Sequence, residues 1–104
     1  MKIVFFGTPE IASGVLEAVL DAGHEVSLVV TRADKPKGRG NKIVFSPVKQ
    51  LALERGIEVY QPQTLRIPEV WERLKAENAD MFLTVAYGRI FPREVLDMPP
   101  MGCI

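Results

Sequence analysis

The segment TRADKPKGRGNKIVFSPVK runs from Thr31 to Lys49, and between Arg32 and Lys42 it gathers five cations, Arg32, Lys35, Lys37, Arg39 and Lys42, around a single acid, Asp34. Such a run is ordinarily a solvated face. Here glycines interleave with lysine and arginine, which lets charged side chains and backbone approach phosphates closely, so contact with phosphate or nucleic acid stands beside the solvated reading. The first turn, Gly7-Thr8-Pro9, is not a dinucleotide loop: the G-x-G-x-x-G pattern is absent, and Pro9 removes an N–H that a pyrophosphate would use. No Walker loop occurs, and no clustered His/Cys/Asp set suggests a metal. His24 stands alone at a helix-to-strand turn, with no acid or nucleophile in a recognisable pattern, and reads as a solvated turn residue. Cys103, in an apolar run, reads as a small hydrophobe, and Trp71 as core.

The elements that must position these residues alternate. Ile3 to Phe6 is a continuous apolar run ending at a tight turn, which predicts a buried strand. Ile11, Ala12, Val15, Leu16, Val19 and Leu20 follow with a period near 3.6 and predict a helix with one buried stripe, closed by Gly23. Val26 to Thr31 is a second strand. Ser46-Pro47 combines a capping hydroxyl with a proline at the first helical position, and Val48, Leu51 and Ala52 face inward before Gly56. A short strand at Ile57 to Tyr60, a helix from Pro68 to Asn78 and an apolar strand at Met81 to Ala86 complete the pattern. Strands joined by helices predict a doubly wound, Rossmann-like parallel α/β sheet, with its crevice beyond the carboxyl ends of the strands. That places Gly7-Thr8-Pro9, the loop from Arg32, and VAYGRIFP (Val85 to Pro92) around one site.

Composition sets outer bounds. A chain of 104 residues, 47% hydrophobic and 25% charged, is at most one globular domain, and no apolar run reaches the length of a membrane span. MKIVFFGTPE lacks the length and cleavage site of a signal peptide, and the single cysteine makes no internal disulfide, so a cytoplasmic protein is expected. Thirteen cations balance thirteen acids, so any polyanion would be held by the local patch alone.

FFGTPEIA, TRADKPKGRG followed by SPVKQLA, then VYQPQTLR and VAYGRIFPREVLDMPPMGCI, in this order and spacing, resemble the amino-terminal part of the methionyl-tRNA formyltransferase family. The resemblance covers residues 1–104, and its most specific elements are the loop at Lys35 to Gly40 and the SPVK after it. Other folate-dependent formyltransferases, acting on glycinamide ribonucleotide or nucleotide sugars, share the sheet and a similar end of the fourth strand but generally lack that loop.

The resemblance implies transfer of a formyl group from 10-formyltetrahydrofolate to the amino group of methionyl initiator tRNA, by a full-length protein that is a monomer and needs no membrane. It implies folate contacts at Val85, Ala86, Tyr87, Gly88, Arg89 and Ile90, and tRNA contacts at Arg32, Lys35, Lys37, Arg39 and Lys42 in a basic loop over residues 32–46. It also implies a methionyl pocket at Gly7, Thr8, Pro9 and Ile11, where Ile11 replaces the family's usual phenylalanine. The family's catalytic asparagine, histidine and aspartate fall outside residues 1–104, the first two in a motif directly after Gly-Cys-Ile. The chain is thus expected to be the first half of the catalytic domain, with no catalytic residue of its own and inactive alone. The alternatives are a non-catalytic α/β module binding RNA or phosphate through the basic loop, or another 10-formyltetrahydrofolate-dependent formyltransferase.

Overall fold

The computed structural model describes the backbone of residues 1–37 and 42–104, and the side chains of all of these except 35–37, 42 and 43. In chain order the elements are β1 (Lys2–Gly7), α1 (Glu10–Asp21), β2 (Glu25–Val30), β3 (Lys35–Lys37), β4 (Lys42–Val44), α2 (Pro47–Glu54), β5 (Val59–Tyr60), α3 (Pro68–Lys75), β6 (Met81–Val85) and α4 (Arg93–Leu96).

Four strands form one parallel sheet in the order β5-β2-β1-β6. The strand order reverses at β1, so β1 and β6 flank the point where connections leave to opposite faces, the place where such sheets leave a crevice. Alternation along β1 shows both faces covered. Ile3 and Phe5 pack with Ala12 and Leu16 of α1 and Val48 and Ala52 of α2. Val4 and Phe6 pack on the other side with Val70 and Leu74 of α3, Tyr87 and Val95. A strand buried on both faces has no polar position to spare, which is why Ile3 to Phe6 reads as an unbroken apolar run.

Local chemistry accounts for the boundaries. Ser46 caps α2, its hydroxyl accepting from the Lys49 N–H at 3.1 Å, with Pro47 at the first helical position. Pro68 likewise opens α3. That helix ends at Lys75, three residues before the expected Asn78, which adopts a left-handed φ of 51°. Gly23 and Gly56, at φ 90° and 69°, end the connections after α1 and α2 as expected.

The structure departs from the sequence reading at several points. Ile11, placed on the buried stripe of α1, is exposed, since the covered stripe of that helix centres on Ala12 and Leu16 and Ile11 falls to one side of it. The basic segment is not all loop: β3 and β4 pair antiparallel, with Lys35 opposite Val44 and Lys37 opposite Lys42, making a two-stranded ribbon. The strand expected over 57–60 pairs only at Val59 and Tyr60. Residues 102–104 lie along the outer side of β6, with Phe82 N–H donating to Gly102 O at 3.1 Å and Thr84 N–H to Ile104 O at 2.7 Å. Trp71 is only half-buried, and its indole N–H donates to Leu65 O at 2.7 Å. No helix among the described residues is long and apolar enough to cross a membrane.

Candidate functional site

The carboxyl ends of β1 and β6 meet at Gly7 and Val85, which are register partners. Gly7 is there because nothing larger fits: a Cβ at this position would stand 2.7 Å from Ala12 Cβ, 2.8 Å from Val85 O and 2.9 Å from Phe5 Cε1. Thr8 then turns toward β2. Its Oγ1 accepts from the Arg32 N–H at 3.3 Å and lies 3.4 Å from the Thr31 hydroxyl, which is fully buried and itself 3.1 Å from Ser46 Oγ.

Beyond β6 the chain leaves regular structure abruptly. Ala86 takes φ 50° and Gly88 φ 84°, and a non-glycine residue in the left-handed region costs roughly 1–2 kcal/mol, a strain that tends to collect at binding loops. Among the described residues, the main chain of 87–91 makes no hydrogen bond to other main chain, and Gly88, Arg89 and Ile90 are exposed, which leaves their donors and acceptors for other partners. The loop is held from below by aromatic packing. Phe6 lies 5.7 Å from the Tyr87 ring and 5.1 Å from Phe91, both edge-on, and 5.3 Å from Phe82. Burial pushes the Tyr87 hydroxyl up to about 12, with Arg89 and Arg32 pulling in the opposite direction.

Two hollows open at this edge. One, of about 280 Å³, is lined by Gln63 to Arg66 on one side and by Gly88, Arg89 and Ile90 on the other. It brings two arginines, Arg66 and Arg89, to a groove whose exposed apolar side chain is Ile90, with Leu65 buried in the core. The second, of about 160 Å³, is lined by Thr8, Arg32, Ala33, Asp34, Val44 and Ser46, between the end of β1 and the root of the ribbon. At that root Lys49 Nζ donates to Asp34 Oδ2 at 2.7 Å and to Gln61 Oε1 at 3.1 Å, and Gln61 Nε2 donates to Asp34 Oδ1 at 2.9 Å. The hydrogen bond from Lys49, joined by that from Gln61, holds the Asp34 carboxyl below its ordinary value against the opposing effect of burial. The one acid of the basic run is therefore taken up by a lysine of α2.

Residues 1–104, the whole chain, match the model of the family described as formyl transferase. The chain belongs to the formyl transferase family. It is 51% identical over all 104 residues to a methionyl-tRNA formyltransferase of Agathobacter rectalis, covering 34% of that protein. It is likewise 53% identical to one of Stutzerimonas stutzeri, covering 33% of it. The chain thus spans about a third of the length of these relatives. A solved structure, glycinamide ribonucleotide transformylase 1 from Symbiobacterium toebii, superposes with a TM-score of 0.70 at 19% identity, covering 99% of this chain and 49% of that one. That likeness shows the doubly wound α/β fold.

Within this formyl transferase fold the expected site residues fall into place unevenly. Thr8, Arg32 and Gly88, drawn from the methionyl, tRNA and folate sets, come together: Thr8 bonds the Arg32 backbone, and the Arg32 side chain lies against Gly88. Arg32 is therefore at the crevice and not out on the ribbon. Tyr87 is buried in the core, while Ala86, Arg89 and Ile90 are exposed. Gly7 is buried, whereas Pro9 and Ile11 are exposed at the start of α1. Arg39 lies outside the described residues, as do the side chains of Lys35, Lys37 and Lys42. His24 is exposed at the amino end of β2, the edge opposite the crevice, and Cys103 is half-buried, its thiol pushed up by burial. Among the described residues no group of three or more His, Cys, Asp and Glu side chains could hold a metal ion.

Sequence reasoning missed the second wall of the groove at Gln63 to Arg66, and the Asp34, Lys49 and Gln61 network. The signal for both lay in QPQTLR and SPVK, segments that are distinctive in sequence but whose roles depend on which strand ends are neighbours.

Proposed function

We propose that the protein carrying this chain transfers a formyl group from 10-formyltetrahydrofolate to the amino group of methionyl initiator tRNA, in the cytoplasm, and that residues 1–104 supply the folate wall and a tRNA contact. The observation that carries this reading is the loop after β6. Its exposed main chain at Gly88 to Ile90, without main-chain partners, and its two left-handed residues suit a flat heteroaromatic ring with polar edges, and the adjoining groove offers Ile90 to a ring face and Arg66 and Arg89 to a carboxylate. The folate supplies the formyl group. This chain's residues bind and orient it.

The tRNA contact rests on the basic ribbon, whose own acid, Asp34, is neutralised by Lys49 from outside the run. The relatives at about 50% identity that carry the name methionyl-tRNA formyltransferase support the acceptor assignment. We assign the acid/base chemistry to residues outside 1–104, a reading supported by His24 standing at the opposite edge and by the burial of Tyr87.

The test is to supply the full-length protein with labelled 10-formyltetrahydrofolate and offer charged initiator tRNA, glycinamide ribonucleotide and an amino nucleotide sugar in parallel. Label should reach the methionyl ester alone. Label on either small acceptor, or RNA binding with no transfer, would overturn the assignment. Residues 1–104 expressed alone should transfer nothing.

A further inference from the structure

The two stems of the basic ribbon are pinned by one side-chain clasp. Asp34, which leads into β3, accepts from Lys49 at 2.7 Å and from Gln61 at 2.9 Å. Phe45, which follows β4, lies under the same ammonium, its ring centroid 3.8 Å from Lys49 Nζ, and its carbonyl accepts from Gln50 at 3.1 Å. Gln61, just beyond β5, closes the figure by donating to Arg32 O at 3.1 Å. A ribbon of two three-residue strands is marginal by itself, so its direction must be set from its base. The Lys49 and Asp34 side chains are only 13% and 22% exposed, which spares the pair most of the screening that weakens surface ion pairs.

We propose that Asp34, Lys49 and Gln61 are positioning residues that fix the angle at which the basic ribbon meets the acceptor end of tRNA, and that Lys49 uses its charge inside this clasp and not on a phosphate. The inference rests on the tRNA reading of the ribbon. It opposes the simplest electrostatic expectation. Replacing Asp34 by Asn removes a negative charge near RNA and releases Lys49, which by charge alone should tighten tRNA binding. Loss of the clasp lets the ribbon swing and should weaken it.

The experiment uses the full-length protein and measures KM for methionyl-tRNA, KM for folate, kcat, and the salt dependence of tRNA binding. Asp34→Asn should raise KM for tRNA on the order of tenfold, the scale on which small misplacements act, with KM for folate and kcat at saturation unchanged. Lys49→Met should raise KM for tRNA with an unaltered salt slope, whereas Arg39→Ala, a proposed phosphate contact, should lower that slope by about one. Lys49→Arg, able to pair with Asp34 and stack on Phe45, should restore most of the affinity.

Equal or tighter tRNA binding by Asp34→Asn overturns the proposal, and so does a shallower salt slope for Lys49→Met. A parallel rise in both KM values with a lowered melting temperature would reduce the clasp to a general stabiliser and also overturn it. If Arg39→Ala is silent as well, the ribbon does not meet tRNA, and the reading beneath the inference fails with it.

Discussion

The Arg32 guanidinium packs against the Gly88 backbone, joining the end of β2 to the loop after β6 across the end of β1: a Cβ at Gly88 would stand 3.4 Å from Arg32 Nη1. Arg32 Nε is buried without a partner among the described residues, so the side chain is held by packing more than by hydrogen bonds. Gly88→Ala should therefore act mainly through its φ of 84°, lowering stability by about 1–2 kcal/mol, with the Arg32 contact adding little because the guanidinium can give. Urea unfolding checks the stability, and a selective rise in KM for folate checks that the loop is the binding edge.

Gly7→Ala should be worse, for a different reason. The added methyl meets Ala12, the Val85 carbonyl and the Phe5 ring, all inside 3.0 Å, and two of these belong to the sheet itself. Helix α1 would have to lift from β1, at a cost of about 3 kcal/mol, the upper part of the usual overpacking range. A loss below about 1 kcal/mol in urea unfolding would mean that α1 sits more loosely than the structure shows.

How far the sequence reveals this molecule depends on the range of the interactions involved. The order of elements was legible because periodicity is local: the Ile3 to Phe6 run, the Ser46-Pro47 cap and Gly23 each declare themselves within a few residues. The site was legible in part, since the carboxyl ends of parallel strands are the general location of such crevices. The partners of those ends were not. That Gln61 reaches Asp34, or that Gln63 to Arg66 faces Gly88, follows from β5 lying beyond β2 while β6 lies on the other side of β1, an arrangement no local pattern states. The ribbon was missed because Pro36 and the glycines of the run argue against a strand, yet a two-stranded ribbon, in which every strand is an edge, tolerates Pro36. Exposed Ile11 shows the limit of helical patterning at a first turn.

Acid should loosen the root of the ribbon in a defined window. Hydrogen bonds from Lys49 and then Gln61 hold the Asp34 carboxyl below its ordinary value, so its folded pKa lies under its unfolded one. A depressed carboxylate contributes stability that is present above the unfolded value, near 3.9, and lost as pH falls through the folded value. Burial opposes the same trend at Glu77, yet its bonds to Arg73 also leave it low, so both groups act in one direction. The urea midpoint should fall between pH 7 and pH 3, and Asp34→Asn should show a smaller fall than the native protein. An identical fall in the two would remove Asp34 from the account.

The folate edge can be located without any turnover. If the ring lies against the main chain after β6, titrating a non-reactive folate analogue should move amide resonances centred on residues 85–91, with a second group at 63–66 from the facing wall of the groove. The aromatic support under the loop should stay fixed, because Phe6, Phe82, Tyr87 and Phe91 interlock at ring separations of 5.1 to 5.8 Å and Tyr87 is buried. Replacing Ile90, the exposed apolar residue of the loop, by Asp should weaken the analogue at least tenfold, since it puts a charge beside a ring face and sets it against the carboxylates of the ligand. Stability should barely change, because the Ile90 side chain is largely in solvent. Shifts confined to Gly7 through Glu10, with residues 85–91 silent, would place the ring at the end of β1 instead and leave the β6 loop without a ligand.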